Sequence, residues 1–317
     1  MNIRTGSASL SAPARPGPAI VLPSAYRILP TTVPFHVPGF ERQRNPAGVV
    51  FTPEPVDCAD WFERFTARVS NAVGSTYLPV CRMSDGEFLL LFGFQPPSIR
   101  LPMGRRAWIR CLQAREMMRH RFGGFRAETT PGVSSGAMSH AERLTLAPIL
   151  SKQYADIARD GILGLHLSYG NTPFQEQYFP ALGKWLAEHA VRLTLNNYVP
   201  FYFVYALLRG PAFPLLIASR RVLVVHSATG DKREAITRSI NEKMPRGVEW
   251  LNISATRSFA DTLDLTRLQD RPDICLLGGG VGKAHLFPQL RSLGIPCIDA
   301  GFAFEVWADP ENGTAPS

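Results

Sequence analysis

From Arg221 to Gly301 the chain alternates short apolar runs with helical patterns, and no other feature narrows the choice of fold so far. The runs read RVLVVHS, VEWLNIS, DICLLGGG and IPCIDAG. The cores of the first and third are continuously apolar, which marks strands covered on both faces. Between the runs, Asp231–Met244, Phe259–Leu268 and Lys283–Leu293 carry helical periodicity. Strand, helix and strand in repeating order need right-handed crossovers and give a parallel sheet. The fold class expected is therefore α/β, a Rossmann-like parallel sheet flanked by helices. Ligands of such sheets gather beyond the carboxyl ends of the strands. Those ends are His226–Gly230, Ser254–Thr256, Gly278–Gly280 and Asp299–Gly301.

The glycine-rich end, GGGVGKA, invites two readings that its residues reject. A P-loop needs glycine at position 277 and Ser or Thr at 284, where this chain has Leu277 and Ala284. A dinucleotide fingerprint needs a third glycine, and Lys283 stands there. What remains is a strand-to-helix turn, Gly278–Gly282. Its N–H groups can hold a phosphate, or its glycines can simply let helix and sheet pack closely.

A second chemical stretch lies far upstream, in VCRMSDGEFLL. An apolar run from Tyr77 to Cys81 meets a polar break, Ser84 to Glu87, and an apolar run from Phe88 to Phe92 follows. Gly86 lets the backbone fold sharply, so Asp85 and Glu87 can point at one spot. Two convergent carboxylates at a strand end suit Mg²⁺ or Mn²⁺, with a phosphate supplying further oxygens. Arg82 can meet the same phosphate. The plainer alternative is an Asp-Gly turn whose glutamate opens a helix.

Around these motifs the chain reads as one domain. Asp60–Val73 places Trp61, Phe62, Phe65, Val69 and Val73 on one helical face, capped by Asp57 or Asp60. A helix with a basic outer face is expected at 105–122, then a polar loop at 125–140 able to order over substrate. Leu144–Arg159 reads as helix and Gly161–Ser168 as strand. A further helix opens near Pro180, and Tyr198–Leu208 reads as a buried helix under the sheet. Residues 1–45 are Pro-rich with no acid before Glu41 and are expected to be a disordered extension to a single domain at 46–310.

Composition limits the partners. With 45% apolar and 19% charged residues, the 317-residue chain can bury a large core. A formal net charge of +8 suits an anionic partner such as a nucleotide sugar. There is no basic tract interleaved with aromatics, which argues against nucleic acid. Cys58, Cys81, Cys111, Cys275 and Cys297 form no CxxC pair. They read as buried thiols in a reducing, cytoplasmic setting. No apolar run approaches the roughly 20 residues of a membrane span, so no transmembrane segment is expected.

Two separated motifs then carry a resemblance. RxxDGEF at Arg82–Phe88 and GxxxKAxLFxxLxxxGIPxIDAG at Gly279–Gly301 together resemble the GT-D type glycosyltransferases. The hallmark of that family is a DxE pair inside an R-x-G-D-G-E segment on a Rossmann-like fold. The resemblance implies Mn²⁺ or Mg²⁺ at Asp85 and Glu87. It implies donor contacts from Arg82, Gly86, Gly279, Gly280 and Lys283, and catalytic roles for Asp299 and Glu305. The activity it implies is metal-dependent hexosyl transfer from a nucleotide-sugar donor to a glycan or glycoconjugate acceptor, as in polysaccharide biosynthesis. His166, His226 and His285 are weaker candidates. Three positions depart from the family pattern. Ser84 and Phe302 replace its usual glycine and histidine, and Gly278-Gly279-Gly280 replaces its Gly-Pro turn. The role of the missing histidine does not transfer. The alternatives are a nucleotide-sugar or polysaccharide-binding module with altered catalysis, or a nucleotide-dependent methyltransferase or reductase built on VLVVHSATGD.

Overall fold

The computed structural model describes residues 27–30, 49–93, 140–166, 168–169 and 178–309. The helix expected at 105–122, nearly all of the 125–140 loop, most of the N-terminal extension and the side chain of Asp85 lie outside them.

At the centre is a seven-stranded sheet in which every neighbouring pair is parallel. Its strands are β3 (Leu78–Met83), β4 (Ile162–Leu165), β6 (Tyr198–Pro200), β7 (Arg221–His226), β8 (Gly247–Asn252), β9 (Ile274–Gly278) and β10 (Pro296–Asp299). Their spatial order is β6-β4-β3-β10-β9-β7-β8. The fold is thus α/β and Rossmann-like, as the alternation predicts. A small antiparallel sheet joins β1 (Arg27–Pro30), β2 (Val49–Thr52) and β5 (Ser168–Tyr169). β1 falls inside the segment expected to be disordered, and its backbone pairs with β2 instead.

Helices cover the sheet because its strands are apolar on both sides. The helices are α1 (Cys58–Ala72), α2 (Asp85–Phe92), α3 (His140–Asp160), α4 (Phe179–Glu188), α5 (Phe201–Arg209), α6 (Ala212–Ile217), α7 (Gly230–Asn241), α8 (Lys283–Gln289) and α9 (Ala303–Ala308). Asp57 caps α1 by accepting from the N–H groups of Ala59 and Asp60 at 2.8 and 3.3 Å. That helix buries Trp61, whose ring meets Tyr198 and Phe203 edge-on at 5.5 and 5.3 Å. Pro200 ends β6 and leads into α5, so the stretch expected as one buried helix is a strand followed by a helix. α5 packs on β3 and β4, while α3 and α8 pack together and against β3.

The connections fix where a ligand edge can lie. After β3 the chain turns into α2 and reaches its next strand of this sheet at β4, on the side of β3 away from β10. After β10 it turns into α9, which packs mainly on α7, the helix following β7. The adjacent strands β3 and β10 therefore send the chain opposite ways, a topological switch point of the kind where α/β sheets bind ligands.

Candidate functional site

Between the ends of β3 and β10 lies a buried charge cluster. Arg82, Glu87, Lys283 and Asp299 are 3%, 7%, 5% and 1% exposed. Charged side chains this deep must be paired, because leaving water strongly disfavours an isolated charge. Arg82 Nη2 donates to Asp299 Oδ1 at 2.9 Å, and its Nε donates to the Asp299 carbonyl at 3.1 Å. The Arg82 backbone N–H donates to Asp299 Oδ2 at 3.2 Å. Lys283 Nζ lies 2.8 Å from Asp299 Oδ2 and 2.8 Å from Glu87 Oε1. Glu87 Oε2 accepts from the Ser84 N–H at 2.9 Å and so helps to close the first turn of α2.

Backbone geometry explains how these groups meet. Arg82 points to the face covered by α5, where its guanidinium carbon lies 4.0 Å from the Tyr205 ring centroid and 5.1 Å from that of Phe201. Gly164 is its cross-strand neighbour, and a Cβ there would come within 3.2 Å of Arg82 Cγ. The absence of a side chain thus leaves room for the arginine stem. Lys283 is the first residue of α8 and is aimed inward by the preceding glycine turn. That turn is tightly packed: a Cβ on Gly278 would fall 2.3 Å from His226 Cδ2, and one on Gly282 would fall 2.3 Å from Ser258 Oγ. Ser258 Oγ also donates to the Gly279 carbonyl at 2.7 Å. Close packing against the neighbouring strand end and the Ser258 turn therefore accounts for Gly278 and Gly282.

The cluster holds its own charges in place. Burial opposes the Arg82 and Lys283 cations, but Asp299 acting on both, Tyr205 on Arg82 and Glu87 on Lys283 outweigh it and raise both pKa values. Burial likewise opposes the Asp299 carboxylate, yet Arg82 and Lys283 hold its pKa below the ordinary value. Two cations thus face two carboxylates, and the cluster is neutral as a whole.

These contacts bear on the metal that the sequence reading expects. Asp85 is the first residue of α2, and Gly86 and Glu87 follow it in the first turn. Both oxygens of Glu87 are engaged, one by Lys283 and one by the Ser84 N–H. Both oxygens of Asp299 are engaged as well. Among the described residues, no group of three or more His, Cys, Asp or Glu side chains is placed to hold a metal ion. In this arrangement the carboxylates of Glu87 and Asp299 do not fit a divalent ion, because an ammonium stands where they converge.

A second group sits beyond the ends of β7 and β10. Lys232, in the first turn of α7, pairs with both oxygens of Glu305 on α9 at 2.6 and 2.7 Å, and the two side chains are 41% and 45% exposed. Glu305 therefore stands at the rim rather than in the buried cluster. His226 packs 4.6 Å from Phe304, and its Nδ1 accepts from the Ala228 N–H at 3.0 Å, which places the proton on Nε2. Burial, reinforced by Lys232, pulls its pKa from 6.5 down to about 4. The unfolded chain then binds a proton that the folded chain does not. Unfolding free energy is expected to fall as pH drops from 6.5 toward about 4, by up to roughly 1.4 kcal/mol per pH unit. Urea unfolding across that window, with His226→Asn showing a flatter slope, checks this.

Of the other histidines, His285 donates through Nε2 to the Asp261 carbonyl at 3.1 Å and serves the fold. His166 lies beside the end of β3, with Nδ1 3.3 Å from Ser84 Oγ and Nε2 3.3 Å from Tyr202 Oη. Sequence reasoning missed Tyr205 and Phe201, because an aromatic cluster reads as core until its strand neighbour is known to be an arginine. A groove of about 630 Å³ along α7 and β8, lined by Arg233, Thr237, Arg238 and Trp250 among others, includes none of the expected site residues.

Gly301 closes the cluster from above. Its φ is +41°, and a Cβ there would lie 1.9 Å from Arg82 Nη2. Gly294 has φ +60° but only the exposed Arg271 nearby, 3.3 Å away. Gly294→Ala is expected to cost about 1–2 kcal/mol in backbone strain alone. Gly301→Ala adds displacement of the arginine and is expected to cost clearly more, as paired denaturation curves would show. Comparison with family models, curated proteins and solved structures finds no match for this chain.

Proposed function

We propose that the protein is a glycosyltransferase that moves a sugar from a nucleotide-sugar donor to a hydroxyl of a glycan or glycoconjugate. One observation carries this reading. Arg82 and Glu87 come from one end of the domain and Lys283 and Asp299 from the other, and they meet at the carboxyl edge of a parallel sheet, at a switch point. The positive net charge favours an anionic donor.

In the reaction the acceptor oxygen bonds to the anomeric carbon, the bond from that carbon to the diphosphate breaks, and the acceptor proton passes to a base. Asp299 is poorly suited to be that base, since its oxygens are occupied and its pKa is held down. Its role is to position Arg82 and Lys283. Glu305 is the proposed base: both its oxygens pair with Lys232, but that pair lies at the solvent-reached rim and can open, unlike the buried pairs of Asp299. His226, neutral near pH 7 with its proton on Nε2, is suited to donate a hydrogen bond.

The full engagement of Glu87 and Asp299 favours a second reading, a nucleotide-sugar-binding module without turnover. A panel of nucleotide sugars, tested with and without Mn²⁺ and with glycan acceptors, separates the two. Released nucleotide supports the transferase. Saturable binding with no release supports the module, and neither signal rejects both.

A further inference from the structure

The metal is expected at Asp85 and Glu87, yet the Glu87 carboxylate converges with that of Asp299 on Lys283 Nζ, which lies 2.8 Å from an oxygen of each. We infer that Lys283 is the resident cation of this site and that the folded chain takes up no Mn²⁺ or Mg²⁺ at Glu87. The ammonium does not reach this point by chance. It extends from the first residue of α8, whose backbone follows a turn with Gly280 at φ +52° and Gly282 wedged against Ser258. The remaining oxygens are also taken, Glu87 Oε2 by Ser84 and the Asp299 carboxylate by Arg82. Metal binding would therefore require expelling a buried ammonium. With Lys283 still in place, a doubly charged ion would instead join a cluster that is already neutral. For the donor, and only there, the inference rests on the transferase reading: its diphosphate would be bound by cations of the chain, without a metal.

The test begins with wild-type protein stripped of metal by EDTA and freed of the chelator. Mn²⁺ uptake is followed by loss of the free-ion electron paramagnetic resonance signal, with thermal unfolding measured in parallel. Wild type and Glu87→Gln are expected to behave alike, with no saturable uptake. Lys283→Ala is expected to gain one Mn²⁺ per chain and a higher unfolding midpoint in Mn²⁺, and to lose both when Glu87→Gln is added. One Mn²⁺ per wild-type chain that disappears in Glu87→Gln overturns the inference, as does a folded Lys283→Ala that takes up none. Should Lys283→Ala fail to fold, the comparison of wild type with Glu87→Gln decides alone. UDP and GDP are then titrated calorimetrically in EDTA and in Mn²⁺. Binding unaffected by EDTA supports the inference, and binding that requires Mn²⁺ overturns it. Absence of binding in both buffers rejects the glycosyltransferase reading instead, while the Mn²⁺ comparison still decides the identity of the cation.

Discussion

Asp299→Asn is expected to lose about 3–5 kcal/mol of unfolding free energy, the usual consequence of removing one partner from a buried ion pair. Asp299 is 1% exposed and receives Arg82 Nη2 at 2.9 Å and Lys283 Nζ at 2.8 Å. The amide keeps the size of the side chain but not its charge, so two buried cations are left facing Glu87 alone. One of its two terminal atoms also becomes a donor pointed at other donors. Urea unfolding should show a large fall in midpoint at unchanged slope. Adding Lys283→Met removes the surplus cation, and the double variant should be less destabilised than the sum of the singles by roughly 0.5–3 kcal/mol. Simple additivity would mean that the two residues are not energetically coupled. The pH dependence has two limbs. The Asp299 pKa is depressed in the folded state, so its contribution is present above the unfolded value near 3.9 and is lost as pH falls through the folded value. The Lys283 pKa is raised, so its contribution is present below the unfolded value near 10.4 and is lost as pH rises through the folded value. Asp299→Asn should flatten the acid limb.

Local pattern reveals strands and helices well where each residue answers only to its own neighbours. RVLVVHS became β7 nearly to the residue, and DICLLGGG and IPCIDAG hold β9 and β10 in their apolar middles, because continuous apolar runs between turn signals have few other uses. The helix expected over Phe259–Leu268 became two single 3₁₀ turns, Ser258–Ala260 and Leu265–Arg267. Asp261 lies between them, and its carboxylate accepts from the Ser254 N–H. A polar side chain that bonds back to the backbone competes with a continuous helix. The candidate site is less legible, since its chemistry depends on pairing across more than two hundred positions, as the Arg82–Asp299 contact shows with a separation of 217. Motif order places Arg82, Glu87, Lys283 and Asp299 near one edge, but not against one another. That β10 inserts beside β3 is a fact of topology. Only with that insertion does an arginine expected to face a phosphate face an aspartate, and a lysine expected to face a donor face Glu87.

Glu305→Gln is expected to lower kcat for sugar transfer by about 10²–10⁴-fold, the usual contribution of a positioned general base. Glutamine keeps the shape of the side chain and can still accept from Lys232, but it cannot take the acceptor proton. Donor KM should change little, because Glu305 stands at the rim and makes none of the contacts of the buried cluster. Stability should change little as well, since exposed ion pairs such as Lys232–Glu305 contribute at most about 1 kcal/mol. A large fall in kcat at constant unfolding midpoint therefore separates chemistry from folding, which Asp299→Asn cannot do. Lys232→Met serves as the companion. It removes the partner of the carboxylate but leaves the base, so it should lower kcat less than Glu305→Gln. Equal turnover in Glu305→Gln and wild type would remove Glu305 from the reaction and leave His166, beside the end of β3, as the next candidate to take the proton.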